Sequence, residues 1–532
     1  MSQPSSPSRP RPQCWECRRR RHVCDGTQPV CAKCRANRIV CPGYADKKPL
    51  TWLAPGQVMS RARKTKPKRI ATDKSCNDTR DRGRPSVCAS TFASQSPGTE
   101  SDSHTEELDL PAPVELRPEV CDFIEAMLYY NSHIYPDLLR HQLGPNNFLI
   151  PLTIVENCPP AITHTLVSIT ISHRIIQTAE DPGSDQLVKP LWTRLYRHRD
   201  IAVRVINKLV ANKETRKDIA TIASVYTLLF AMLQQSFNPC WRTHVDGLMS
   251  LVHLWGGLPD IIQAVPEMEL SMMALCIVGV IANTTSPRHD QLQVASTEDT
   301  LALAQTYYTE TYFPSITMPP ELFTELIVIN ALRAEEPSET TTAKAEQILS
   351  RIESFNPQTW SAARPASEPE DPTLQADWLL VATLFHAAVA LFAILSLQSS
   401  GALPSSSSSS SPTCFPAPSQ EPPPKTKLEL EIELDLSRTR HARTLFALLE
   451  PGMSAPRVRK RMTWPLLVAG VEAASRGASW EVQRYIGACL GEMGRDQGSA
   501  APGLARRVLE GFWRRGGGAW DECFGEPLAL VL

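Results

Sequence analysis

CWECRRRRHVCDGTQPVCAKCRANRIVC, residues 14–41, places six cysteines in the order Cys14-x2-Cys17-x6-Cys24-x6-Cys31-x2-Cys34-x6-Cys41. The unit CxxCx6C occurs twice. Zinc takes four tetrahedral thiolate or imidazole ligands. Six thiolates cannot supply two separate four-cysteine sites. They can hold two ions if two sulfurs bridge both, or one ion with two thiols to spare, and the internal duplication favours the shared arrangement. Two Zn²⁺ and six thiolates leave a net negative cluster, which the run Arg18, Arg19, Arg20, Arg21 offsets. Guanidinium groups also grip phosphate and pair bidentately with guanine O6 and N7. A unit this poor in apolar residues needs metal to fold. The competing reading is a disulfide knot. The N-terminus MSQPSSPSRPRPQ lacks the apolar h-region of a secretory signal, so a reducing compartment and a metal site are expected.

The rest of the 532-residue chain surrounds this head with a different chemistry. Its net charge is −1, yet residues 1–100 hold 21 Lys and Arg against 7 Asp and Glu, and the remainder 34 against 49. A basic head on an acidic body suggests that the head meets a polyanion. A composition of 42% hydrophobic and 21% charged residues excludes wholesale disorder. The 45 prolines predict linkers. Beyond Cys41 the other nine cysteines are scattered singly, as small core or linker residues usually are.

The expected organisation is a disordered N-terminus (1–11), the cysteine unit (12–45) and a disordered basic linker (46–114). A helical body (115–398), a Ser/Pro insert (399–426) and a C-terminal helical part (427–532) complete it. Helical periodicity carries the body. Phe123, Ile124, Met127 and Leu128 share one helix, and Leu191, Leu195, Ala202, Val205, Ile206 and Leu209 line another. Val245, Leu248, Val252 and Trp255 line a third, which Gly256 and Gly257 can end in a left-handed cap. Glu, Thr and Pro over 335–373 predict a surface loop. KLELEIELDL, 427–436, alternates strictly and fits a strand or a charged helix start equally. Trp378 to Leu397 is long and apolar enough for a bilayer. Without flanking basic clusters it reads better as a buried helix, and no membrane is expected. The fold class is therefore all-α.

The 14–41 segment resembles the fungal Zn2Cys6 binuclear-cluster DNA-binding domain, with every spacing in register. The resemblance implies two short helices and two zinc ions per cluster. It makes Cys14 and Cys31 the bridging thiolates, with Cys17 and Cys24 completing one ion's shell and Cys34 and Cys41 the other's. It puts Arg20 and Arg21 at the positions that reach the base edges of a CGG triplet, and makes Arg18, Lys33, Arg35 and Arg38 phosphate contacts. LLFAMLQQSFNPCWRTHVDGLMSLVHLWGG (228–257), RMTWPLLVAGVEAA and VLEGFWRR are similar to the helical middle region found behind such clusters.

The expected function is thus a zinc-dependent, sequence-specific transcription factor of the RNA polymerase II type in the nucleus. It would bind double-stranded DNA at CGG-type half-sites, as a homodimer or with a heteromeric transcription partner. Arg61, Arg63, Lys64, Lys66, Lys68 and Arg69 read as a nuclear localisation patch. The alternative is a zinc-module cofactor or scaffold without sequence choice. None of GxGxxG, GxxxxGK[ST], HExxH or GxSxG occurs, and no enzymatic activity is expected.

Overall fold

The computed structural model describes residues 13–14, 16–17, 22–27, 30–37, 39, 41, 119–140, 157–178, 188–235, 241–308, 318–364, 372–404, 427–477 and 480–530. The chain divides into two units, Met1–Asp109 and Leu110–Leu532. The linker expectation (46–114), residues 405–426 of the expected insert, and the localisation patch at Arg61–Arg69 lie outside the described residues, whereas the first insert residues, 399–404, end the helix Pro372–Ser400 and bury Ala402 and Leu403. Among the described residues there are helices and no strand.

In the first unit the helix Ala32–Ala36 follows the fourth cysteine. Of the first expected short helix only residues 16–17 are described, and both are helical. The buried centre of this unit consists of Cys14, Cys17, Cys24, Cys31 and Cys34, with Val30 and Cys41 packed against them.

The second unit is built around the helix Pro372–Ser400. Eleven consecutive residues, Ala387 to Leu397, are buried. A helix apolar on every side has no amphipathic face to expose, so it folds where others cover it completely. The covering elements are Pro320–Ala334, Glu339–Ser354, Pro357–Ala362, Lys427–Ser454, Thr463–Ser475 and Trp520–Cys523. Thr373–Ser400 and Pro266–Thr284 are long and apolar enough to cross a bilayer, but 78% and 72% of their apolar windows are buried inside the protein. At roughly 1.5–3 kcal/mol for each fully buried large aliphatic or aromatic side chain, this packing dominates the body's stability.

Polar anchors fix the C-terminal segment to that core. Trp520 Nε1 donates to the Thr284 carbonyl and Trp464 Nε1 to the Thr284 hydroxyl, both at 2.9 Å. Arg333 is fully buried and donates to Asn283 O (2.9 Å), Ser286 O (3.0 Å) and Asp521 Oδ1 (2.6 Å). Its guanidinium lies 5.6 Å from the Phe392 ring centroid. A second, smaller core joins Glu119–Tyr129, Pro160–Thr178 and Lys189–Ala211 through Phe123, Met127, Ile171, Ile175 and Leu195.

Several sequence expectations are revised. Phe123 and Met127 are buried, whereas Ile124 and Leu128 point outward, because only a narrow face of this helix meets the bundle. The segment expected as a loop over 335–373 contains the helices Glu339–Ser354 and Pro357–Ala362. Ser338 and Thr341 form a capping box, and Ala345, Ile348 and Ile352 turn a buried face inward. KLELEIELDL opens a 28-residue helix, not a strand. The Trp241–His253 helix ends before Gly256 and Gly257, at φ +102° and +124°, with Gly257 N–H donating back to Val252 O.

Candidate metal centre and nucleic-acid interface

The two CxxC turns repeat each other's geometry. Cys17 N–H donates to Cys14 Sγ at 3.4 Å, and Cys34 N–H to Cys31 Sγ at 3.3 Å. His22 N–H donates to Cys17 O, and Ile39 N–H to Cys34 O. Each pair is offset by the 17 residues that separate Cys14 from Cys31, so the sequence duplication is also a structural one. Cys31 caps the Ala32–Ala36 helix.

The sulfurs converge. Cys14 Sγ lies 3.6 Å from Cys31 Sγ and 3.8 Å from Cys34 Sγ, and Cys17 Sγ lies 3.7 Å from Cys31 Sγ. A disulfide would need about 2.05 Å. A tetrahedron with zinc–sulfur arms of about 2.3 Å has edges of about 3.8 Å, so these separations are those of sulfurs sharing a metal's shell. Two quartets have all their sulfurs within 4.8 Å of one another: Cys14, Cys17, Cys24, Cys31, and Cys14, Cys31, Cys34, Cys41. They share Cys14 and Cys31. As free thiols the group resists ionisation. Burial and the neighbouring sulfurs push Cys17 up to about 12 and raise Cys14 and Cys34 as well. A dense, buried, soft donor set of this kind fits a thiophilic divalent cation.

Asp25, which sequence reasoning passed over, organises the loop between the halves. Its carboxylate accepts from Ala32 N–H at 3.0 Å and from the Thr27 hydroxyl. Those bonds, Thr27's foremost, hold its pKa down at about 2. Its signal was the Asp25-Gly26 pair, with Gly26 at φ +77° making the turn.

Of the expected DNA contacts, Lys33 and Arg35 are exposed on the Ala32–Ala36 helix. Arg18, Arg20, Arg21 and Arg38 lie outside the described residues. Lys33 and Arg35 flank the buried Cys34 along the chain, so they offer cationic side chains to solvent beside the sulfur cluster.

A sulfur cluster beside exposed cations, followed by a large helical body, is the layout of a DNA-binding transcriptional regulator. Residues 13–50 match the fungal Zn(2)-Cys(6) binuclear cluster domain, and residues 125–524 match the fungal specific transcription factor domain. The chain belongs to this family of zinc-binding fungal transcription factors. Among its relatives is the phomenoic acid biosynthesis cluster-specific transcriptional regulator of Leptosphaeria maculans. It is 29% identical over 541 aligned residues, covering 98% of this chain and 89% of the relative. No solved structure matches the chain.

Proposed function

We propose that residues 12–45 hold two zinc ions through all six cysteines and read a CGG-type triplet in the major groove of promoter DNA in the nucleus. Cys14, Cys17, Cys24 and Cys31 would hold one ion and Cys14, Cys31, Cys34 and Cys41 the other. The observation that carries this is the pair of sulfur quartets with two members in common. Bound zinc supplies cross-links and keeps the thiolates deprotonated.

The chain's own groups do the recognition. Arg20 and Arg21 present guanidinium forks to guanine, while Arg18, Lys33, Arg35 and Arg38 contact phosphates and fix the register. Asp25 holds the loop between the two halves against the start of the second helix, which orients Lys33 and Arg35. One triplet carries too little information for a genome, so a second half-site occupied by a homodimer or a heteromeric partner completes the target. Arg61, Arg63, Lys64, Lys66, Lys68 and Arg69 direct nuclear import. The helical body, residues 115–398 with 427–532, regulates RNA polymerase II transcription. The Leptosphaeria relative regulates a biosynthesis cluster, and we assign this chain the same kind of target, a co-regulated set of biosynthetic genes.

The test is a binding titration of the full chain on a CGG-containing duplex and a scrambled duplex, with and without chelator, at two salt concentrations. Expected is a chelator-sensitive preference for CGG, with both affinities falling as salt rises. Equal affinity for the two duplexes would overturn sequence reading and leave a zinc-module scaffold.

A further inference from the structure

Glu353, His386 and His441 come from three helices, Glu339–Ser354, Pro372–Ser400 and Lys427–Ser454. One donor atom from each lies within 4.8 Å of the other two. His441 is buried, His386 is half-buried, and Glu353 opens the group to solvent. The two imidazole rings meet edge to face, with centroids 5.1 Å apart. His441 Nε2 lies 3.0 Å from Glu353 Oε1, to which the Ser437 hydroxyl donates at 2.6 Å. His386 Nε2 donates to Ile352 O at 2.9 Å, which leaves Nδ1 of the neutral ring with its lone pair. Burial keeps His386 below the ordinary histidine pKa. Against the cost of burial, the bonds from His441 and Ser437 hold Glu353 down at about 2. At neutral pH His386 is thus an imidazole and Glu353 a carboxylate, the forms in which both bind metal.

One contact in this group is unbalanced. Arg440 Nη2 approaches His441 Nε2 at 3.3 Å while pairing with Glu353 Oε2. A ring nitrogen is either a donor or an acceptor. Protonated, Nε2 satisfies Glu353 but faces the guanidinium N–H groups. Unprotonated, it accepts from Arg440 but sets a lone pair against a carboxylate oxygen. A cation seated between Nε2 and Oε1 takes both lone pairs at once. Zinc arms of about 2.0–2.1 Å set donor–donor edges of about 2.9–3.4 Å, and the 3.0 Å edge falls in that range. Rotation of the solvent-facing Glu353 side chain closes the wider separations. Two imidazoles and one carboxylate, open to water on one side, suit zinc with water completing its shell. The Ile352 carbonyl orients His386 as outer-shell acceptors orient ligand imidazoles. Arg440 is the competing cation, and at 61% exposure it is free to swing outward. We propose that Glu353, His386 and His441 form a metal site separate from the cysteine cluster, which takes a zinc ion and ties the three helices together. The proposal is independent of how many ions the cysteines hold and of which DNA the chain reads.

The experiment equilibrates the full chain with zinc, removes free metal by gel filtration and counts bound zinc by elemental mass spectrometry. Wild type is expected to hold about one zinc more than His386→Gln or Glu353→Gln. The cysteines are untouched in these variants, so the difference is read whatever the cluster itself contains. The same difference of about one is expected in a Cys31→Ser background, where the cluster is impaired. Arg440→Gln is expected to bind the ion more tightly, because it removes the competing charge; a purely structural ion-pair network would loosen instead. Helical circular dichroism in chelator is expected to match wild type, and if His386→Gln fails to fold, the solvent-facing Glu353→Gln carries the comparison. Equal zinc content in wild type and the folded variants would overturn the proposal. So would weaker zinc binding in Arg440→Gln.

Discussion

Replacing the cysteines one at a time separates the two ways in which six sulfurs can hold metal. Cys14 and Cys31 belong to both quartets, whereas Cys17, Cys24, Cys34 and Cys41 each belong to one. The observed edges of 3.6, 3.7 and 3.8 Å between Cys14, Cys31, Cys17 and Cys34 match those of a zinc–sulfur tetrahedron. With two ions on shared sulfurs, Cys31→Ser takes an arm from both shells and Cys24→Ser from one. The energetic scale is large, since a structural zinc site contributes about 10–16 kcal/mol to folding. Among the described residues the buried centre of this unit is made of cysteines, with Val30 packed against it, so little apolar packing is there to replace the metal. The expected zinc content, measured by elemental mass spectrometry on purified chains, is about two per wild-type chain by the tetrahedral count. It falls to near zero in Cys14→Ser and Cys31→Ser, and to about one in Cys24→Ser and Cys41→Ser. Discrimination between CGG and scrambled duplexes, normally about a thousandfold or more for a specific site, is expected to vanish in the first pair. One zinc per wild-type chain, with two cysteines replaceable at no loss of metal, would refute the shared arrangement and establish a single four-sulfur site.

Three further outcomes follow from the helical body. Arg333→Met strips the donors from Asn283 O, Ser286 O and Asp521, and denaturant unfolding should show a loss of about 3–5 kcal/mol; a change below about 1 kcal/mol would show that water replaces the guanidinium. Burial holds His173 at a pKa of about 4, below the ordinary 6.5. The unfolded chain therefore takes the proton first as pH falls, so this contribution is full above about pH 6.5 and drains away towards pH 4, about 2 kcal/mol of it between pH 7 and 5. His173→Gln should flatten that part of the stability–pH curve, and an unchanged slope would assign it to other groups. Gly498 sits at φ +58°, and a Cβ there would collide with the His173 ring; Gly498→Ala should lower stability by more than about 1 kcal/mol in the same unfolding assay.

The cysteine cluster was legible in the sequence because its geometry is local. Each CxxC turn builds its own N–H to sulfur bond, and the 17-residue offset between Cys14 and Cys31 repeats it. Spacing alone was enough to forecast sulfurs that converge. The all-α class was legible for a related reason, since period-3.6 patterning survives whatever the helices pack against. What stayed hidden depends on partners far apart in the chain. Arg333 meets Asp521 across 188 residues and His441 meets Glu353 across 88, and no periodicity announces such pairs.

The misread 335–373 segment and the undecided 427–436 segment share one cause. Glu, Thr and Pro over 335–373 suggested a loop because their average is polar, yet a helix needs only a stripe. Ala345, Ile348 and Ile352 supply that stripe, and the Ser338–Thr341 capping box starts it. In KLELEIELDL the apolar residues fall at every second position, more often than a half-buried helix requires. A strand would bury all of them on one face. The helix buries Leu430 and Leu434 and leaves Leu428, Ile432 and Leu436 outside. The mismatch between the alternating pattern and the helical period is thus the origin of the exposed stripe.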